Sequence, residues 1–532
     1  MRRNAISLAR RGFHKRSVHI PQPQNPPVQI TTLPNNIRVA TESTPGHFSA
    51  VGLYVDAGSR YETPSTSGVS HFLDRMAFKS TRTRTDEEMS TAIHALGGQI
   101  QCSSSREAIM YQSSHFHQAT PQALAVISDT VLNPAFLPEE LAAQREAARY
   151  EIREINAKPE MILPEVLHQV AYGNETLGNP LLCPEDRIDA IDEGIMRGFM
   201  KTWYAPERIV VAGAGMVHEE LVELTDKYFS SLKSGTLHTP QIHTQPSTSR
   251  PNSVPPHLLP SNTQSPSVIK SLTRAASYLY PNTPTSPSDG PLLPASSYTG
   301  GHRFIHNPQS EFNHIYIGFE GVGIHDPDIY TLATIQILLG GGGSFSAGGP
   351  GKGMYSRLYT HILNHHPQID HCESFHHIYT DSSLFGIFAS FVPAGTSVTG
   401  FGRRQGNSPE QIMAHLVHQF SLLLHANVDA KELLKAKNQL KSSLVMALES
   451  RAVEVEDLGR QVLVHNRKIP VTEMCDHIDE VTPDDVRRVA QRVFGTQSAK
   501  KATVVTMGRE DVGDWQAVLR KYAVGGGKGI SM

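Results

Sequence analysis

The chain has 532 residues, of which 39% are hydrophobic and 19% charged, with a formal net charge of −3. This composition is typical of a soluble globular protein, and the length exceeds what one hydrophobic core usually organises, so we expect two large domains. The near-neutral charge excludes the basic field that is typical of nucleic-acid-binding proteins, and the four cysteines are too few and too widely spaced for a disulfide framework or a zinc ribbon.

The N-terminal residues have the pattern of a mitochondrial transit peptide. Arginine and lysine recur between Arg2 and Arg16, and no acidic residue precedes Glu42. The segment lacks the long apolar core of a secretory signal. We therefore predict a transit peptide and leader over residues 1–30, with cleavage near Val18, and a location in the mitochondrial matrix, either free or peripheral to the inner membrane. A disordered basic tail is the alternative.

The middle of the chain changes composition. Residues 234–300 are dense in proline, serine and threonine. Such a segment cannot bury enough apolar surface to offset the entropy lost on ordering, so we predict a disordered insertion there. It separates two predicted domains, at 31–233 and 301–532.

The two domains show the same order of patterns. Each begins with an alternating strand and an apolar-spaced helix, continues to a charged amphipathic helix, and ends with a basic helix before a β-branched strand. The corresponding pairs are the strands at 49–62 and 313–326, the helices at 68–78 and 327–339, and the charged helices at 139–155 and 431–448. The repetition predicts an α+β fold of two homologous sheet-and-helix sandwich domains.

The first apolar-spaced helix contains the motif H-F-L-D-R at residues 71–75. It resembles the inverted zinc motif H-x-x-E-H of the pitrilysin-like M16 peptidase family, in which two histidines bind zinc and the glutamate polarises a water molecule. Asp74 stands in place of the glutamate, and Arg75 in place of the second histidine. The resemblance implies that Glu151 occupies the position of the third ligand.

Arg75 argues against a metal at this position. Arginine has no lone pair to donate and stays protonated, so it repels a divalent cation. His71 and Glu151 alone are one ligand short of the usual three. We therefore predict no catalytic residue and no bound metal, with His71, Asp74, Arg75 and Glu151 as a degenerate remnant of a metal site. An ordinary amphipathic helix unrelated to zinc is the alternative.

A glycine-rich segment begins after the helix at 327–339, with eight glycines between Gly340 and Gly353. Glycine lets another chain approach the backbone closely. A phosphate-binding loop is excluded, because Ser346 and Gly353 occupy positions where that motif requires glycine and Ser or Thr. The uncharged stretch at 329–351 is also too rich in glycine to be a membrane helix.

The segment resembles the glycine-rich loop with which the processing-peptidase branch of the M16 family contacts presequences. The resemblance implies substrate-binding residues at Gly340, Gly341, Gly342, Gly343, Phe345, Gly348, Gly349, Gly351, Lys352, Gly353 and Met354. A purely structural connector is the alternative.

A second feature, the six histidines between His361 and His377, has some metal-ligand spacing. The family resemblance implies no metal there.

The resemblance covers the chain outside the insertion. It implies a non-catalytic subunit that recognises presequences of imported proteins and forms a heterodimer with a zinc-bearing beta subunit, so the zinc cofactor belongs to the partner. Two alternatives remain. One is a core subunit of the respiratory bc1 complex, a structural protein of the inner membrane. The other is a self-sufficient zinc metallopeptidase, which Arg75 disfavours.

Overall fold

The computed structural model describes residues 27–233, 295–343, 355–394, 397–398, 404–405, 408–496 and 501–525. The predicted leader up to residue 26, most of the predicted insertion and the middle of the glycine-rich segment lie outside these ranges. Within them, no helix is both long and apolar enough to cross a membrane. All four cysteines are free thiols.

The described part of the first half is built on a six-stranded sheet in the order β1-β2-β6-β3-β5-β4. Its strands are β1 (Val28–Thr32), β2 (Arg38–Glu42), β3 (Phe48–Val55), β4 (Gln99–Ser104), β5 (Ile109–Phe116) and β6 (Ile209–Ala214). β2 and β6 pair in parallel, and the other neighbours pair antiparallel. The strand predicted from residue 49 is β3, which ends at Val55.

The described α-helices of the first half are α1 (Val69–Arg75), α2 (Asp86–Ala95), α3 (Thr120–Leu132), α4 (Pro138–Asn156), α5 (Pro159–Tyr172), α6 (Glu193–Trp203) and α7 (His218–Phe229). Some of them begin at a capping residue or a proline. Thr85 and Glu88 form a capping box at the start of α2. Pro138 and Pro159 occupy the first turns of α4 and α5, where the missing N–H breaks no helical hydrogen bond.

The described part of the second half is built on another six-stranded sheet, in the order β7-β14-β8-β11-β10-β9. Its strands are β7 (Gly301–His306), β8 (Asn313–Glu320), β9 (Gly341–Gly343), β10 (Ile369–Ile378), β11 (Ser383–Phe391) and β14 (Ala502–Gly508), with a separate pair β12 (Ser397–Val398) and β13 (Arg404–Gln405). The helices are α8 (Ile329–Leu339), a π-helix (Leu358–Leu363), α9 (Pro409–His425), α10 (Ala430–Ala447), α11 (Arg451–His465), α12 (Val471–Glu480), α13 (Pro483–Phe494) and α14 (Trp515–Lys521).

The two sheets repeat one topology, which confirms the predicted duplicated α+β fold. In the first half, β2 is parallel to β6, and β3, β5 and β4 follow in antiparallel order. In the second half, β7 is parallel to β14, and β8, β11 and β10 follow in the same way. The sheets differ at their edges, where β1 is added to the first and β9 to the second.

The halves exchange one helix each. α5 of the first half packs on the second sheet, where Leu163 and Leu167 join Tyr316, Phe388 and Val505 in one buried apolar cluster. This cluster covers the sheet face opposite to the helices of the second half itself. Apolar contact of this kind is non-directional and scales with buried area, so each sheet is stabilised by a helix from the other half.

The reciprocal helix is α11, which packs on β2, β3 and β6 of the first sheet. Val455, Leu458 and Val462 form a buried cluster with Ala40, Ala50, Tyr54 and Ala212 among others. Gly459 of α11 lies against the Tyr54 ring, and a Cβ at that position would overlap the ring. A glycine is therefore required for this close helix-to-sheet approach.

A buried ion cluster also joins the halves. The Arg60 side chain is only 1% exposed and donates to both carboxylate oxygens of Asp381, at 2.8 and 2.6 Å. It also donates to Glu107, which accepts the Thr380 N–H at 3.1 Å. Burial of Asp381 favours its neutral form and so raises its pKa. The hydrogen bonds from Arg60 outweigh this effect and hold the pKa of Asp381 below its usual value. The turn between β10 and β11 is thereby fixed to the first half.

The predicted insertion extended to Gly300, whereas its last residues are held in place. The Ser296 N–H donates to Asp381 at 2.8 Å, and the Thr299 N–H donates to the Ala171 carbonyl at 2.8 Å. The Tyr298 hydroxyl lies 2.6 Å from Thr503 Oγ1. Residues 295–300 therefore belong with the folded second half rather than with the insertion.

Candidate functional site

Helix α1 carries the degenerate motif and is fixed at its N-terminus. Gly68 precedes the helix with φ 90°, and a Cβ there would overlap the Cys183 side chain. The Glu62 carboxylate accepts the N–H groups of Gly68 and Ser70, each at 2.7 Å. Burial raises the pKa of Glu62 to about 7, and the two backbone hydrogen bonds oppose that shift. The start of α1 is therefore held by a buried carboxyl group.

The structure brings together three of the four predicted remnant residues. Glu151 of α4 faces α1, and its Oε2 accepts a hydrogen bond from the Arg75 guanidinium. His71 Nε2 lies 3.2 Å from the same oxygen. The hydrogen bond from His71 and the charge of Arg75 together lower the pKa of Glu151. An ion pair thus occupies the space between the two helices.

Asp74, the fourth remnant residue, has different partners. Its Oδ2 accepts hydrogen bonds from the Ser104 N–H at 2.8 Å and the Ser104 hydroxyl at 3.2 Å. Burial raises its pKa despite these bonds. Asp74 therefore fastens α1 to the edge strand β4, a role that the five-residue motif alone does not reveal.

The residues present do not fit a zinc ion, for two independent reasons. Arg75 offers no lone pair. In addition, His71 Nδ1 lies 3.2 Å from the Cys183 N–H, which can only donate, so we assign the ring proton to Nε2. A zinc-binding histidine normally shows the reverse arrangement, in which one nitrogen ligates and the other N–H donates to an acceptor. Among the described residues, no group of three or more His, Cys, Asp or Glu is arranged to hold a metal.

Restoring the motif should therefore fail to restore a tight metal site. We expect the double variant Asp74→Glu, Arg75→His to retain less than one zinc per chain after dialysis, because His71 would still face the Cys183 N–H. Metal analysis of the purified variant, with a zinc-bearing M16 subunit as the positive control, provides the measurement. One tightly held zinc per variant chain would contradict this account of His71.

The base of the glycine-rich segment lies at the edge of the second sheet. Gly341–Gly343 form β9, which pairs antiparallel with residues 371–373 of β10. Gly340 and Gly341 have φ values of 58° and 113°, and a Cβ on Gly341 would overlap the Cys372 carbonyl. Both positions therefore require glycine. Phe345, Gly348, Gly349, Gly351, Lys352, Gly353 and Met354 lie outside the described residues.

The two ends of the segment meet and are anchored. The Gly341 N–H donates to Ser356 Oγ at 3.0 Å, close to the other end of the segment. Arg357 then makes a bidentate ion pair with Glu432 of α10, at 2.7 and 2.9 Å. Bidentate guanidinium–carboxylate pairs fix geometry as well as energy. The two described ends of the segment therefore lie at one place on the sheet edge.

The histidine-rich stretch is dispersed over several elements. His361 lies in the π-helix, with Nδ1 3.1 Å from Gln419 of α9. His376 Nε2 lies 3.1 Å from Ser383 on β11, and the His377 ring stacks on His168 of α5. His365 follows the end of the π-helix, so His361 and His365 do not lie on one continuous helix.

Two family models and several curated relatives match this chain. The family model described as "Insulinase (Peptidase family M16)" matches residues 38–185, and that described as "Peptidase M16 inactive domain" matches residues 191–440. The mitochondrial-processing peptidase subunit alpha of Neurospora crassa is 45% identical over 88% of this chain and 83% of its own length. The rat protein of the same name is 34% identical over 89% of this chain and 81% of its own length.

A solved structure shares the fold. A chain of "Complex III2 from Candida albicans, Inz-5 bound" superposes with a TM-score of 0.67, covering 93% of this chain and 99% of that chain. The two sequences are 16% identical. This likeness concerns the architecture alone, because the same fold supports unrelated roles.

Proposed function

This chain belongs to peptidase family M16, in the branch of the mitochondrial-processing peptidase alpha subunits, and on that premise we propose that it is the non-catalytic, presequence-recognising subunit of such a peptidase. Its relatives are mitochondrial-processing peptidases, so the chain is assigned to the mitochondrion. Its location in the matrix, its cleaved leader and its substrate are part of the proposal.

The observation that carries the proposal is the ion pair between Arg75 and Glu151. In a catalytic M16 site the corresponding positions would hold a metal that activates water. Here a permanently protonated guanidinium fills that space, and His71 donates to the same carboxylate. The guanidinium thus supplies positive charge beside Glu151, which supports a folded but inactive site.

The proposed partner is a zinc-bearing beta subunit. The name of the relatives, subunit alpha, implies a second subunit. Because the described residues around His71 do not fit a metal, the second subunit would carry the zinc chemistry. In the proposed heterodimer, this chain binds the presequence and the partner cleaves it. The glycine-rich segment is the proposed contact with the peptide. Its base is anchored to the fold, and its glycines have no side chains to keep an extended peptide away from the backbone.

The alternative of a respiratory core subunit rests on the fold likeness only. At 16% identity the solved complex gives no support for a shared role, whereas the relatives that share 45% and 34% of their residues with this chain are peptidase subunits. The self-sufficient peptidase is disfavoured by Arg75 and by the orientation of His71.

Reconstitution tests the proposal directly. This chain, the zinc-bearing partner and their mixture should be assayed with one fluorogenic presequence peptide. We expect cleavage at an appreciable rate in the mixture alone, and about one zinc per heterodimer, held by the partner. Cleavage by this chain alone, or an equal rate for the partner with and without this chain, would refute the proposal.

A further inference from the structure

One of the six histidines of the histidine-rich stretch meets a histidine from a distant part of the second half. His366 follows the π-helix, and its ring lies against the ring of His415 in the middle of α9. The two ring centroids are 4.1 Å apart and the ring planes are inclined by 36°. Both residues are half-buried, so solvent reaches them. We call these two residues the histidine pair.

The backbone holds both members of the histidine pair in place. The His366 N–H donates to the Ile362 carbonyl at 2.8 Å, and the His366 carbonyl accepts the Ile369 N–H at 2.9 Å. His415 belongs to the long helix α9, and its neighbour Leu416 is fully buried in the core of the second half. The two rings are therefore presented by rigid elements, as a binding site requires.

The ring nitrogens of the histidine pair have no other task in the part of the chain that the structure describes, where no hydrogen bond or ion pair joins either ring to another residue. Burial lowers the pKa of His366, and the imidazoles of His415 and His365 lower it further. Burial and then the His418 imidazole lower the pKa of His415. Both rings are therefore neutral near pH 7, and each keeps a nitrogen lone pair.

The distance between the rings suits a shared metal ion. Bonds of about 2.0 Å from a metal to two ring nitrogens, at angles of about 90–110°, place the ring centroids roughly 4.5–5 Å apart. The observed 4.1 Å is slightly shorter, and small changes in the side-chain torsions supply the difference. Because neutral imidazole is the commonest metal ligand in proteins, the histidine pair is suited to chelate one ion.

The surroundings of the histidine pair indicate which class of metal it would take. The charges that shift the pKa values of the two rings come from other histidines and not from carboxylates. Mg²⁺ and Ca²⁺ prefer oxygen ligands, whereas Zn²⁺, Cu²⁺ and Ni²⁺ accept imidazole. The histidine pair therefore favours a divalent transition metal over the hard cations.

The number of ligands sets the strength of binding. Among the described residues, no group of three or more His, Cys, Asp or Glu is arranged to hold a metal, so water would complete the coordination shell. The exposed His418 lies one turn further along α9, on the same side of the helix as His415. With two protein ligands, an ion is held less tightly than in a zinc site with three or four, and it exchanges with solvent.

We propose that His366 and His415 together bind one exchangeable divalent transition-metal ion. This inference goes beyond the proposed function and does not depend on it. His366 comes shortly after residues 355–357, which anchor one end of the glycine-rich segment. A bound ion would therefore fasten this part of the chain to α9.

The test is a calorimetric titration of the untagged full-length chain with Zn²⁺ after dialysis against a chelator. We expect one site with a Kd in the micromolar range, with which a large excess of Mg²⁺ does not compete. His366→Gln and His415→Gln should each weaken Zn²⁺ binding about tenfold or more, because a single imidazole lacks the effective concentration that its neighbour provides. The matched control is His425→Gln, which makes the same change at an exposed position of α9 and should leave the Kd unchanged.

A second measurement uses the unaltered chain and so does not depend on the folding of any variant. Anomalous diffraction at the zinc edge, from crystals soaked in Zn²⁺, should show a peak between the His366 and His415 rings. Equal affinities of the two pair variants and the control, absence of micromolar binding, or zinc peaks only at other places would each overturn the site. None of these readouts is presequence cleavage, so such a failure leaves the proposed function in place.

Discussion

Deleting residues 345–352 is expected to lower kcat/KM for presequence cleavage about tenfold or more, because the lost contact energy appears as weaker binding. The deletion removes Phe345 and Lys352 and leaves the described base of the segment, at 340–343 and 355–357, in place. The heterodimer should still assemble with an unchanged zinc content, since the metal belongs to the partner. Steady-state kinetics with a fluorogenic presequence and peptide-binding titration provide the measurements.

A deletion of equal length in the insertion, residues 250–257, serves as the control. Loop length is thermodynamically inexpensive to change, since a doubling costs only about 0.6 kcal/mol. The control should keep wild-type kinetics. If the deletion in the glycine-rich segment also keeps wild-type kinetics, the segment is a connector, and the structural core-subunit alternative gains support.

Arg60→Met is expected to lower the free energy of unfolding by about 3–5 kcal/mol, the usual loss when one partner of a buried ion cluster is removed. Glu107 would lose its guanidinium partner inside the protein, and Asp381 would lose both hydrogen bonds that tie it to the first half. Because the cluster joins the halves, unfolding should also become less cooperative. Calorimetry and urea denaturation monitored by two probes give the measurement.

The control for this variant is Arg520→Met, which removes an ion pair with Asp514 at 3.7 Å between side chains that are 49% and 68% exposed. An exposed pair contributes about 0–1 kcal/mol, so this variant should be nearly neutral. Equal losses in the two variants would show that the Arg60 cluster does not hold the halves together.

The fold was predictable because its signals are local. Alternation identified β3 and β8, apolar spacing identified α1 and α8, and the repetition of these patterns indicated duplication. The meeting of His71 with Glu151 followed from a family resemblance rather than from periodicity. Spacing alone cannot place two helices side by side when they are separated by two strands and two further helices.

The remaining features depend on contacts between distant segments. The Cys183 N–H donates to the His71 ring and fixes its orientation. Almost every residue has a backbone N–H, so the sequence does not indicate which one makes this contact. The packing of α5 and α11 on the sheet of the other half is not predictable from the sequence either. An amphipathic pattern shows that a helix has a buried face but not which sheet that face covers.

The exchange of α5 and α11 makes the halves interlocked rather than merely adjacent. Neither half could keep its sheet covered on both faces if the other were removed, so we expect neither half to fold alone. A single cut between residues 234 and 294 would nevertheless leave both exchanged helices seated and the Arg60 cluster intact. Once folding is complete, the covalent link is thus not needed to hold the halves together. The linking segment is free to change in length and composition without altering how the halves are held.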